Sequence, residues 1–539
     1  MNSRIADSFV KTFSDDNGLV VPVVPTFGNN DIYPHNVLMP GPNDILRSYT
    51  DIWKPFIPED QRHSFEFGGW FYVEVIPNKL AVFSLNTIYF FDRNAGVDDC
   101  THPSEPGYQH FEWLRVQLQF LRERGVKAIL MGHVPPARTS GKQLWDETCW
   151  QKYTLWLQQY RDVVISSLYG HMNIDHFLLQ DTKEIDFSYI GSQSNQLANI
   201  RESMEDEISI ESSKDYLMEL REDWAKLPDP VQTQDFEELK KKKKGDKKKK
   251  KKLGGPWAER YQLTLISPSV VPNYFPTLRV FEYNITGIED TPTWVDTVRK
   301  SGVQSAPASD SEVHSLELRS EPDMEIEKKK KKKKGKHDKD PKAPDLQIPD
   351  APAKGSLPGP GYYPQPLTLK GYIQYYANLT VINNDIAADN VGEDELSSNK
   401  WDAGKHKDKK PKHAKPQPKE FGYKVEYTTF DDKIYKLKDL TVRSFLRLAH
   451  RIGQTSTKST GLSEEYDEYE YEDDEVVDNE VEDMESADEE EDSDNDLEAE
   501  KKKKKKKKGG HKMRNTKIWL HFLKHAFVST KSVDELKDL

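Results

Sequence analysis

Three short glycine-led blocks stand in the first third of the chain: Phe27-Gly28-Asn29-Asn30-Asp31, Gly132-His133-Val134-Pro135-Pro136 and Tyr169-Gly170-His171-Met172-Asn173. Each places a neutral metal-ligating side chain directly after a glycine, near the end of an apolar, strand-like run. The amide oxygen of Asn29 and ring nitrogens of His133 and His171 suit borderline-to-hard divalent ions such as Mn, Mg, Co, Zn or Fe. Two such ions about 3.5–4 Å apart can clamp phosphate oxygens and activate a water. Taken singly, each block has turn composition. Their order, each behind a strand-like run, points to a metal centre. The glycines are expected to give close backbone approach.

Other residues are weaker candidates. Arg138 follows the second block closely enough to meet a substrate phosphate, or it makes a surface salt bridge. Asp175 and His176 follow the third block and are within reach of the same site. Asn284-Ile285-Thr286 and Asn378-Leu379-Thr380 match the glycosylation acceptor pattern at Asn284 and Asn378, at no more than chance density. Cys100 and Cys149 are the two cysteines, and either one disulfide or two thiols fits them.

The elements that must hold these blocks read as α/β. Gly18–Pro25 reads as a strand leading into the first loop. Trp70–Ile76 and Leu80–Phe91 read as a hairpin. Tyr108–Arg124 has helical periodicity that Gly125 can end, and Trp150–Arg161 reads as a second helix. Val126–Met131 and Val163–Leu168 are buried strands that run straight into the two histidine loops. Sites at the carboxyl ends of strands are the usual arrangement in α/β folds. The amino terminus reads as an amphipathic helix and lacks the apolar core of a signal peptide.

Charge divides the rest. The formal net charge of −13 hides four lysine runs, Lys240–Lys244, Lys247–Lys252, Lys328–Lys334 and Lys501–Lys508, and an acidic tract from Glu464 to Glu500. Such blocks repel themselves and bury nothing, so they read as long disordered charged insertions. The segmentation is a core over 1–195, a charged linker over 196–255, a β-rich accessory segment over 256–300 and a Lys-rich disordered stretch over 301–355. A second accessory segment follows over 356–453 with an insertion at 386–419, then an acidic and basic tract over 454–515 and a docking segment over 516–539. The lysine runs lack interleaved aromatics and a recognition fold, so specific nucleic-acid binding is not expected. They serve either as solvated insertions or as a binder of a linear polyanion through counterion release. No run of 18 apolar residues exists to span a bilayer.

The three blocks, with Tyr169-Gly170-His171-Met172-Asn173-Ile174-Asp175-His176-Phe177, Ser267-Pro268-Ser269-Val270-Val271-Pro272 and Phe527-Val528-Ser529-Thr530, resemble the fungal endopolyphosphatases. These are an acid-sphingomyelinase-like branch of the calcineurin-like metallophosphoesterases. The resemblance covers 1–195 well and survives beyond in islands. It implies the C-terminal portion of an αββα sandwich, divalent metal ions (two in the complete family site) and Asn29, His133 and His171 as ligands. It implies hydrolysis of phosphoanhydride bonds within inorganic polyphosphate. It also implies a vacuolar location, a membrane anchor and lumenal glycosylation. The general acid stays unnamed, because Asn30 stands where the wider superfamily has a histidine, and Asn173 replaces a second one.

The upstream half of that signature, Asp-x-His and Gly-Asp-x-x-Asp, is not seen. None of the 15 histidines has an aspartate two positions before it, and Gly245-Asp246 lies inside a lysine run. The expectation is a truncated chain that lacks its bridging carboxylate and its anchor, binds at most one metal and that weakly, is inactive on its own, and has exposed sheet edges. The rival readings are a sphingomyelinase-like phosphodiesterase and a non-catalytic polyanion-binding relic.

Overall fold

The chain opens with helix α1 (Asn2–Phe13) and a two-strand hairpin of β1 (Ser14–Asp15) and β2 (Gly18–Leu19). The computed structural model describes residues 1–190, 210–228, 252–297, 347–383, 419–454 and 516–537, apart from positions 17, 271, 272 and 354. The expected strand over Gly18–Pro25 pairs only at Gly18–Leu19. Pro22 and Pro25 lack the N–H that a ladder needs. The segment continues as extended chain, held where the Ser84 hydroxyl donates to the Pro25 carbonyl at 2.7 Å. That contact delivers the Gly28–Asp31 loop to the carboxyl end of the neighbouring strand.

The central sheet has six strands in the order β3-β4-β5-β6-β8-β7. β4 (Leu80–Ser84), β5 (Lys127–Met131), β6 (Val164–Tyr169) and β8 (Tyr261–Ile266) are parallel. β3 (Phe71–Ile76) and β7 (His176–Asp181) close the two edges in antiparallel pairing. The reading of Leu80–Phe91 as one strand is corrected: β4 stops at Ser84 and Thr87–Tyr89 form a single tight turn. The Asn86 amide donates to the Gly68 carbonyl and Asn94 bridges the Leu38 and Ile88 carbonyls, so side chains replace the ladder.

Both faces of the sheet are covered, as alternation along a strand requires. On β7, Gln180 accepts from Thr264 and donates to Thr154 of helix α5 (Glu147–Gln159). Phe177 points the other way and packs on Trp224, Phe445 and Phe522. These belong to α6 (Ile210–Ala225), α7 (Val442–Gly453) and α8 (Lys517–Ala526). Helix α4 (Pro106–Arg124) begins on proline and ends at Gly125, whose φ of +70° is the left-handed stop. Cys100 and Cys149 form a disulfide that joins the loop before α4 to the first turn of α5.

Two segment boundaries differ from the expectation. All six residues of β8 are buried, and the strand lies between β6 and β7. Residues 261–266 are therefore part of the core sheet and not of an accessory segment. Gln262 and Thr264 interrupt the apolar residues of β8, and nothing in the six-residue run fixes which strands it pairs with. Within the expected linker over 196–255, helix α6 buries Tyr216, Leu217, Leu220 and Trp224. Its stripe of apolar side chains is diluted by charge in the sequence, yet Arg221 stacks over Trp519 and donates to the Ile452 carbonyl.

A second, three-stranded antiparallel sheet has the order β11-β10-β9, from β9 (Thr277–Tyr283), β10 (Leu369–Tyr376) and β11 (Lys424–Thr428). It is tied to the loop after β6 by a buried ion pair between Arg279 and Asp175 at 2.7 Å. Helices α2 (Asp44–Ile52) and α3 (Arg62–Gly68) precede β3 in the chain, and the edge of the main sheet at β3 is covered. Gln61 accepts from the Tyr72 N–H at 3.0 Å and donates to the Tyr72 carbonyl at 2.9 Å, as a neighbouring strand would. Met1–Gly453 and Thr516–Leu539 form one unit; the other, Gln454–Asn515, lies outside the described residues except for Gln454. The disordered readings of the lysine-rich and acidic stretches fall almost wholly outside the described residues. No helix among the described residues is long and apolar enough to cross a membrane.

Candidate metal centre

The parallel order of β4, β5 and β6 sets their carboxyl ends side by side, and each end contributes to one site. β5 leads into the loop of His133 and β6 into that of His171. After β4, the Thr87 hydroxyl accepts the backbone N–H groups of His133 at 3.1 Å and Val134 at 2.9 Å. Trp145 and Trp150 donate to the Val134 and Pro136 carbonyls and hold the far side of that loop. The Gly170 N–H donates to the His133 carbonyl at 3.0 Å, which locks the two histidine loops together.

The three expected ligands meet. The Asn29 Oδ1 lies 2.7 Å from His133 Nε2 and 3.1 Å from His171 Nδ1, and the two ring nitrogens are 3.2 Å apart. Ligands about 2.1 Å from one cation stand about 3 Å from each other, so this triangle fits a single ion. The Asn29 amide is oriented from behind: its Nδ2 donates to Asn36 Oδ1 at 2.9 Å and lies 2.9 Å from His35 Nε2. Asn36 is itself buried, with φ at +67°. Burial pushes the His133 pKa down to about 4, opposed by the Asp31 carboxylate. His171 is pushed well below the usual histidine range by burial first, then by His133, Lys142, His35 and Arg93. Both imidazoles are thus neutral near pH 7, the form a metal takes.

The glycines divide. A Cβ on Gly28 would meet the His133 ring at 2.7 Å, and one on Gly132 would meet Thr87 Cγ2 at 2.4 Å. Gly170 has open space around it, so close approach is not its reason. The turn there is made by His171 and Asn173, with φ of +67° and +59°.

The weaker candidates do not join the triangle. Arg138 is taken up by Glu147 at 3.1 Å, by Glu184 at 3.7 Å and by the face of Trp150. Its salt-bridge reading is the one the structure carries. Asp175 is held by Arg279, Gln374 and Tyr427, and His176 by the Ile174 carbonyl and Tyr216. Asn284 donates to the Gln365 carbonyl, and Asn378 caps the short helix Leu379–Ile382. Sequence reasoning missed Thr87, His35, Asn36, Lys142 and Arg93. His35 and Asn36 had a signal, lying within seven residues of Asn29 in one loop; the others become neighbours only through the sheet.

No family model matches the chain. It is 52% identical to an endopolyphosphatase of Neurospora crassa, over 99% of this chain and 79% of that protein. It is 31% identical to one of Debaryomyces hansenii, over 98% of this chain and 73% of that protein. Against one of Saccharomyces cerevisiae the figure is 34%, over 84% of this chain and 68% of that protein. With identity and coverage of this order, the chain belongs to the endopolyphosphatase family.

Proposed function

We propose that this protein hydrolyses phosphoanhydride bonds within inorganic polyphosphate, and that Asn29, His133 and His171 hold a divalent cation for that reaction. The observation that carries the reading is the triangle of one amide oxygen and two neutral ring nitrogens within 3.2 Å of each other. A bound divalent ion would supply Lewis acidity to a phosphoryl oxygen and lower the pKa of a water. This chain's residues do the rest. Asn36 keeps the amide oxygen of Asn29 turned inward. Thr87 fixes the backbone of the His133 loop. The charges of Lys142 and Arg93, close enough to depress the His171 pKa, suit a polyanionic substrate. Asn30 is exposed and its amide gives no proton to a leaving oxygen. A leaving phosphate needs less acid assistance than an alkoxide does, which supports an anhydride substrate over an ester.

The finer fold reading, an αββα metallophosphoesterase sandwich, belongs to the same proposal; a site at the carboxyl ends of parallel strands and a second sheet support it. So does a lumenal, vacuolar placement. Its support is the Cys100–Cys149 disulfide, a bond of oxidising compartments.

The test is polyphosphate of defined length incubated with the full chain and Mn²⁺, Mg²⁺, Co²⁺ or Zn²⁺ and resolved on a gel. Internal cutting gives mid-length products early, and the His133→Gln and Asn29→Leu variants lose it. Unchanged chain length in the wild-type protein with every ion overturns the proposal.

A further inference from the structure

A second set of metal-ligating side chains lies away from the Asn29 centre, where α8 packs on the segment after β11. His521 and His525 are one helical turn apart on α8, the spacing that puts two imidazoles on one face. His521 Nε2 is 2.7 Å from Asp432 Oδ2 and 3.3 Å from His525 Nε2. The ligating atoms of all three residues lie within 4.8 Å of one another.

The surroundings orient these atoms. Asp432 Oδ1 accepts the backbone N–H groups of Ile434 at 2.8 Å and Tyr435 at 2.7 Å, which leaves Oδ2 for the cluster. His525 Nδ1 faces Glu426 Oε1 at 3.4 Å, and its ring stacks on Tyr427 with centroids 3.8 Å apart. Glu426 is held in turn by Ser529 and Gln374. A carboxylate on one ring nitrogen that fixes the other toward a cation is the usual outer support of metal-bound histidine. A plain ion pair between Asp432 and His521 accounts for one proton on His521 Nε2. It leaves the His525 Nε2 lone pair facing a nitrogen whose proton points elsewhere. A cation satisfies Asp432 Oδ2 and both ring nitrogens at once. The Asp432, His525 and Glu426 side chains are at most 5% exposed, and His521 is 15% exposed, so water or a small ligand reaches the cluster from one side only.

We propose that Asp432, His521 and His525 form a second divalent-cation site, of the two-imidazole, one-carboxylate kind that Zn²⁺ and Co²⁺ favour, which fastens α8 to the second sheet. The donor set leaves a fourth position for water. This site shares no residue with the Asn29 centre, so the two can be emptied separately.

The experiment uses the full chain, stripped with chelator and reloaded with Zn²⁺ or Co²⁺. Metal content is measured by atomic emission, the Co²⁺ visible spectrum recorded, and thermal unfolding followed with and without metal. The variants are His521→Gln, Asp432→Asn, which keeps an acceptor for the Ile434 and Tyr435 N–H groups, and Glu426→Gln, with His133→Gln to empty the other centre. Expected is the loss of one metal equivalent in His521→Gln and in Asp432→Asn that adds to the loss in His133→Gln. The Co²⁺ band of the second site and the metal-dependent rise in Tm go with it. Glu426→Gln, which removes outer support only, weakens Zn²⁺ about 10- to 100-fold. If His521→Gln and Asp432→Asn remain folded and, added to His133→Gln, leave the metal content and Co²⁺ spectrum of the His133→Gln protein unchanged, the proposal is overturned. That result would leave the polyphosphate reading untouched.

Discussion

Asn29 turns one amide to two uses: its oxygen faces His133 and His171, and its nitrogen is held by Asn36 and His35. The orientation is therefore built in and not induced. Replacing Asn36 with alanine releases the amide and, at a buried position with φ of +67°, also costs stability; the variant that remains folded should bind Mn²⁺ about 10- to 100-fold more weakly than wild type, as titration of both would show. Gly28→Ala makes the complementary case. Its new Cβ would sit 2.7 Å from the His133 ring, so the imidazole must leave the triangle. Expected is a loss of polyphosphate cleavage with the far-ultraviolet spectrum unchanged; retained activity would show that the ring can yield. The convergence of Asn29, His133 and His171 was legible in the sequence because each of the three side chains follows a strand-like run. For Arg138 the salt bridge was legible but its partners were not, since nothing local announces that Glu147, Glu184 and Trp150 surround it.

At the scale of elements, α4 carries His110 into a stack between Trp70 and Phe90, with ring centroids 4.5 and 4.8 Å away. Burial drives its pKa from 6.5 down to about 3. The unfolded chain then binds the proton more tightly than the folded one. Stability that depends on neutral His110 is present above about pH 6.5 and is lost as pH falls through 3. His110→Phe keeps the stack and removes that term, so its unfolding free energy in urea should fall less between neutral and mildly acid pH than the wild-type value. The disulfide acts on the same layer. Cys100 and Cys149 are 49 residues apart, and closing a loop of that length contributes about 4 kcal/mol by chain entropy. The double serine variant should lose stability of that order, and reductant should have no further effect on it. Helices α4 and α5 were readable from periodicity, and the end of α4 from Gly125; α6 was not, because charge dilutes its apolar stripe. The limits of β4 were not, because buried amide side chains from Asn86 and Asn94 end the ladder there and their partners are remote in sequence.

Across the whole molecule, the unit that holds the site draws on distant parts of the chain. β8 at 261–266 completes the sheet beside β6, and α8 at 517–526 buries Trp519, Phe522 and Leu523. Residues 455–515 fall outside that unit. Deleting 455–515 should leave cooperative unfolding and polyphosphate cleavage in place, whereas deleting 516–537 should abolish cooperative unfolding; circular dichroism melts of the two deletions would check it. In the sequence the charge blocks interrupt the apolar texture, but the sequence could not say that the islands between them return to one core. Pairing of β8 with β6 and β7 is a long-range choice that its six residues leave open.

The most direct measurement is Mn²⁺ binding, read by electron paramagnetic resonance, alongside polyphosphate chain length on a gel for wild type, Asn29→Leu, His133→Gln and His171→Gln. Parallel loss of bound Mn²⁺ and of cleavage in all three variants is the predicted result. Variants that bind the ion and shorten polyphosphate as the wild-type protein does would contradict the assignment of the triangle.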